Sequence, residues 1–241
     1  MAVPGGYGRF MFDFLFAVVA ICSPMLVFLG TNAFLISNTG NISALASKTA
    51  TPQFAEPQIP DSEALAVSSE VINYVLGGPE ISHKYYFSAE ELLHLSDVRK
   101  VVSKSFLLLK ISAVAIILSL IGILALTRSS TAARPRLFRK LLFAAGADTL
   151  ALAILAFAAF LSFDYAFTAF HLIFFQNSQW QFPYNFALVN LFTPDFFAAF
   201  ARNIVAVSSA VAATLIAAAF AMPRFYGTGR FKARSGLKHE N

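Results

Sequence analysis

The chain has 241 residues, 57% hydrophobic and only 13% charged, about half the ~25% charged share of a soluble globular domain. Its 27 Phe residues exceed what a soluble fold of this size hides, so composition excludes a soluble domain and points to the bilayer. The net charge of +5 does not signal nucleic acid, because Lys and Arg flank hydrophobic runs rather than one polar face, and a single Cys excludes an internal disulfide framework.

Four runs reach the ~20 apolar residues that cross a hydrocarbon core. Residues 1–36 hold a short N-terminus and a first span, Phe10–Ile36. That run is longer than the ~7–15 residues of a signal-peptide core, so a retained anchor is expected, with Cys22 as a packing residue. Residues 37–105 form a long connection. Its first part, NTGNISALASKTATPQFAEPQIPDSE, is rich in Ser, Thr and Pro and reads as irregular. EALAVSSEVINYVLGG then reads as a short helix ended by Gly77-Gly78. In FSAEELLHLSDVRKVVSKSF, Ser88 and Glu91 make a capping box, and the helix should run unbroken into a second span, Phe106–Leu126.

Residues 106–163 contain the second and third spans, the latter from Leu137 to Phe163, joined by the basic loop RSSTAARPRLFRK. Residues 164–195 form an interfacial aromatic segment broken by Pro183 and Pro194. Residues 196–241 hold the fourth span, Phe196–Met222, and a tail with Arg224, Arg230, Lys232, Arg234 and Lys238 against Glu240. Loops rich in Lys and Arg stay in the cytoplasm, which predicts cytoplasmic termini and places 37–105 and 164–195 outside. The expected fold is an all-α membrane protein: four transmembrane helices with a small extracellular helical cap formed by the two outer loops.

Of four histidines, His239 lies in the tail and His83 in a polar loop, where solvation explains it. His94 and His171 lie near the same predicted membrane surface, in different loops. A single histidine at such a place is better explained as a hydrogen-bonded structural residue, but two at one depth can share protons. Glu90 and Asp97, at i−4 and i+3 from His94, share its helix face. Either carboxylate could orient the ring, and Arg99 could balance Asp97. Around His171, the rings of Phe174, Phe175 and Trp180 suit the headgroup belt, whereas Asn177 carries an amide that needs a partner. Charges inside spans usually have partners: Asp148, near mid-membrane, should find one, and Arg202 could pair or face a lipid ester. No GxSxG, HExxH, Walker-type loop or Cys/His cluster is present, so neither cofactor nor metal is expected.

FSAEELLHLSDVRKV (87–101) and FHLIFFQNSQWQF (170–182), with SSEVINYVLGG before and LVNLFTPDFF after, resemble the lipoprotein intramolecular transacylases (Lit-type), integral membrane proteins with four spans and an outer cap. The resemblance covers most of the chain and rests on E-x-x-H-x-x-D-V paired with a later F-H-x-x-F-F. It implies an enzyme that moves the sn-2 acyl chain of a bacterial lipoprotein's diacylglyceryl-cysteine to the cysteine α-amine, giving the lyso form. The implied partners are the lipidated lipoprotein N-terminus and membrane lipid. His94 and His171 are the implied catalytic pair, with Asn177, Arg202, Trp180, Phe174 and Phe175 as substrate-binding or oxyanion candidates. The chain departs from the family pattern at Asn185-Phe186, where an acidic residue is expected, and at Thr193, where a proline is.

Two other readings make different demands. A non-catalytic protein whose cap binds lipid or a partner predicts the histidines apart, or buried with every hydrogen bond made. A small transporter needs Asp148 and Arg202 on facing sides of a polar cavity.

Overall fold

A computed structural model describes residues 6–128, 134–175 and 180–222. Among them are eight α-helices and no strand: α1 (Gly6–Ser37), α2 (Thr39–Thr49), α3 (Asp61–Val75), α4 (Ala89–Leu126), α5 (Arg134–Phe160), α6 (Phe163–Phe174), α7 (Ala187–Leu191) and α8 (Pro194–Ala221). Four of these, α1, α4, α5 and α8, are long and apolar enough to cross a membrane. The 27 residues of α5 span ~40 Å, more than the ~30 Å hydrocarbon core. The protein is a multi-pass membrane protein.

The bundle is organised by α5 against α8 and α1 against both α4 and α5. At Gly146 the α5 and α8 backbones approach so closely that an added Cβ would lie 2.7 Å from Ile216 Cγ1 and 2.9 Å from the Ala212 carbonyl oxygen. Little of the bundle surface is buried within the protein. Ile117, Leu118, Ile154, Leu155 and Phe157 all point outward, as they should where lipid is the solvent. Asp148, expected to find a polar partner, is exposed on α5 and has none among the described residues. Arg202 is likewise exposed on α8. Neither lines the groove at Ala33–Asn38 or the one beside Phe200 and Asn203, so nothing among the described residues sets them on facing sides of a polar cavity.

The cap has its own core. Val67, Val71 and Val75 of α3 pack with Ile59, Ile81, Phe87, Leu95, Leu188 and Leu191. Asp61 and Glu63 lie in the first turn of α3, where the helix dipole favours acid. Past its C-terminus Gly77 takes φ +95°, the left-handed conformation that glycine adopts without a Cβ penalty. The Ser88–Glu91 capping box forms as expected, and α4 then runs unbroken to Leu126.

Two expectations are corrected. Residues 39–49 are helical rather than irregular, because Ile42 and Ala46, one turn apart, are buried against Ile72 and Phe196. Residues 163–174 form a separate helix, α6, after a turn at Leu161–Ser162, so Phe163, expected to end the third span, instead begins the next helix. The departure at Thr193 has a local reason. Thr193 N-caps α8 by accepting the Phe196 N–H, Pro194 occupies the first turn, and the Thr193 hydroxyl donates to the Thr49 carbonyl at 3.2 Å.

Candidate active site

His94 lies in the second turn of α4, ~18 Å along the helix axis from Phe106. Its depth is set by Glu91, one turn earlier and only 2% exposed. The Glu91 carboxylate accepts the Ser88 N–H at 2.7 Å and the Leu188 N–H at 2.8 Å, fastening the first turn of α4 to α7. Burial pushes the Glu91 carboxyl up in pKa, and the backbone N–H donors of Leu188 and Ser88 oppose that shift.

His171 comes from the last turn of α6. Its Nδ1 donates to the Phe167 carbonyl at 2.7 Å. A carbonyl can only accept, so this bond fixes the tautomer and leaves the lone pair on Nε2. The two imidazoles meet: ring centroids lie 6.1 Å apart with 24° between planes, and His94 and His171 are only 8% and 7% exposed. His94 Nδ1 is buried and has no hydrogen-bond partner among the described residues. The histidines are therefore neither apart nor fully satisfied.

Aromatic side chains form the walls. His94 touches Phe175 at 4.9 Å and Phe182, nearly edge-on, at 5.5 Å, and Trp180 lies 4.6 Å from His171. Burial first, then the neighbouring His171, depresses the His94 pKa to about 4, against the upward pull of Asp97. Burial also lowers His171, against the upward pull of the Phe167 carbonyl. Both rings therefore rest neutral near pH 7, and a second proton on the pair is opposed by the first.

The remaining candidates divide. Asp97 acts on His94 through its charge and pairs with Lys100 at 2.9 Å. Arg99 is engaged elsewhere: it donates to the Gly78 carbonyl at 3.2 Å and lies 4.8 Å over the Tyr74 ring, clamping α4 to the end of α3. Glu90 is exposed on the first turn of α4. Phe174 is half exposed beside Phe170. Phe197 of α8 packs on Phe167, and Arg202, five residues on, points ~140° away around the helix. Asn177 lies outside the described residues, as does His239. His83 is not simply solvated, since its Nδ1 lies 2.9 Å from Glu70 Oε1.

Three contributors escape a sequence reading. The Phe167 carbonyl is the i−4 acceptor of His171 and is visible only once 163–174 is known to be helical. Phe182 sits inside the aromatic signature with nothing to mark it as a wall of His94. The Leu188–Glu91 bond joins residues 97 apart. Asn185, where an acid is expected from the family pattern, donates instead to the Glu56 carboxylate at 3.0 Å, so an acid reaches this place from the other loop.

The family model described as lipoprotein intramolecular transacylase Lit matches residues 17–197. Among solved structures, the chain is similar to the membrane integral lipoprotein intramolecular transacylase Lit from Bacillus cereus, with a TM-score of 0.67 and 16% identity over 87% of this chain and 94% of that one. A variant of that protein with a histidine replaced by arginine matches at 0.64 and 16%, over 89% and 92% of the two chains. A variant with a histidine replaced by alanine matches at 0.67 and 15%, over 90% and 95%. At these identities the structural likeness is one of fold. Comparison with curated proteins gives no match.

Proposed function

The chain belongs to the lipoprotein intramolecular transacylase family and is an acyltransferase, and from that premise we propose that it moves the sn-2 acyl chain of a lipoprotein's N-terminal diacylglyceryl-cysteine to the cysteine α-amine. The cap and the histidine pair face the outside of the cell membrane, with both termini in the cytoplasm. The support is the basic loop and tail, which positive-inside bias keeps there. The substrates are lipidated lipoprotein N-termini presented from the outer leaflet.

The observation that carries the mechanism is the 6.1 Å approach of His94 and His171, both buried, with His171 Nδ1 committed to a carbonyl. In the reaction the amine nitrogen bonds to the ester carbonyl carbon and the bond from that carbon to the sn-2 oxygen breaks. Nucleophile and electrophile belong to one molecule, so no enzyme Ser or Cys is needed, and holding them together supplies proximity. The neutral amine loses a proton as it attacks, and His171 Nε2 receives it. The pair returns that proton to the departing glycerol oxygen, for which the unpartnered His94 Nδ1 is the second contact. No net proton is consumed, and one transit proton suits a site that resists two charges. Acid–base work of this kind is worth ~10²–10⁴-fold. Phe174, Phe175 and Trp180 provide apolar footing for the acyl chains.

The test uses a synthetic diacyl lipopeptide with isotope confined to the sn-2 acyl chain, incubated with the reconstituted protein. The expected product carries the label on nitrogen and a free sn-2 hydroxyl, with no exchange between differently labelled substrate molecules. An unchanged diacyl substrate, or label exchanged between molecules, contradicts the proposal.

A further inference from the structure

His171 sits in a box of rings. Phe167 lies at 4.2 Å and 45°, Trp180 at 4.6 Å and 28°, Phe175 at 5.4 Å and 29°, and Phe170 at 5.5 Å and 81°. His94 has a different environment, with Phe175 tilted and Phe182 edge-on. Anchoring at a membrane surface requires an indole at headgroup depth, but it does not require that indole to stack on an imidazole.

A proton arriving on His171 creates a cation in a buried place. Among the described residues no carboxylate pairs with it, and its ring hydrogen bond is to the Phe167 carbonyl. A cation within ~6 Å of an aromatic face is attracted by the ring quadrupole, most strongly by Trp. Trp180 is well inside that range and nearly parallel to the imidazole.

We propose that Trp180 acts through His171: its indole face holds the positive charge that His171 gains on taking the amine proton, so the aromatic box selects His171 over His94 as the proton carrier. This inference rests on the proton-transfer reading above. It makes Trp180 a positioning residue for charge rather than a wall for acyl chains alone. The unpartnered His94 Nδ1 is then left free for the substrate.

Trp180 is the only tryptophan in the chain, so a tryptophan auxotroph fed mono-, di- or trifluorotryptophan labels this position alone. Fluorine drains electron density from the indole face with little change of shape, so folding is preserved. Full-length protein in nanodiscs is assayed with the diacyl lipopeptide. The expected result is a stepwise fall in kcat with fluorine number, reaching roughly two- to thirtyfold, while KM stays level. Trp180→Phe should fall within the same range. A flat kcat across the series, or a change confined to KM, overturns the inference and makes Trp180 a wall. His171→Ala separates the two levels. If that variant is inactive and the fluorine series is flat, only the role of Trp180 falls. If that variant transfers like wild type, the proton-transfer reading falls and this inference with it.

Discussion

His94 and His171 stand with their ring centroids 6.1 Å apart and their planes 24° from parallel, although 76 intervening residues and two membrane crossings separate them in the chain. One ring is carried by the cap extension of α4, the other by the last turn of α6. Each is positioned by a specific hydrogen bond: Glu91 with the Leu188 N–H for α4, and His171 Nδ1 with the Phe167 carbonyl.

The pH profile follows from burial. His94, depressed to about 4 from an ordinary value of ~6.5, stays neutral and competent well below the usual histidine range. The histidine part of the acid limb of kcat/KM should therefore lie below pH 6.5, beneath the separate fall set by protonation of the substrate α-amine, ordinarily at ~8. The Asp97 carboxylate favours the charged His94 ring, so Asp97→Asn should move the His94 contribution to still lower pH and leave that of His171 in place. Initial rates between pH 4 and 8 for the two proteins check both statements.

The same shifts make stability fall with acid. The folded-state pKa of each histidine is lowered, so the unfolded chain binds protons first. Stability is fully present above the unfolded value of ~6.5 and is lost as pH falls toward the folded values. His94→Phe should flatten that loss, read as the change in Tm between pH 7.5 and 5 in detergent.

Glu91 is expected to be the most sensitive position of the cap. Glu91→Ala leaves the Leu188 and Ser88 N–H groups without their acceptor in a buried site and should destabilise by about 2–4 kcal/mol. Glu91→Gln keeps one acceptor oxygen for two donors and should fall between. Denaturant midpoints of the purified variants rank them. Removing the hydroxyl cap by Ser88→Ala should cost only ~1 kcal/mol.

In the bundle, Gly146→Ala should destabilise by about 1–3 kcal/mol. Ile216 can rotate away from the new methyl group, but the Ala212 carbonyl, 2.9 Å from it, moves only with the α8 backbone. Thermal unfolding compared with Ala151→Gly, at an exposed α5 position, separates crowding from helix propensity.

The four spans were legible because hydropathy is all that a span needs. Each predicted end falls within a few residues of α1, α5 and α8, and the C-terminal end of α4 at Leu126 coincides. The cap was half legible. Its capping box and Gly77 are local chemistry, whereas α2 is a helix only because Ile42 and Ala46 find a partner surface on α3 and α8. No local signal separates that from a polar loop. Within 163–174 nearly every residue is apolar, so no periodicity distinguished α6 from an extended aromatic segment. His94 and His171 could be singled out as titratable groups at one depth. That Arg99 clamps Tyr74 and Gly78, and that Arg202 points away from Phe197, are consequences of packing that a charge pattern does not carry.

The most direct measurement is a double-mutant cycle on the pair. His94→Ala, His171→Ala and the double variant are reconstituted, and kcat for N-acyl product is followed by mass spectrometry of the lipopeptide. Residues that handle one proton together lose activity non-additively. Each single substitution should cost at least ~10²-fold, with the double variant little worse than either. Wild-type rates in either single variant, or losses that simply multiply in the double, would contradict the account.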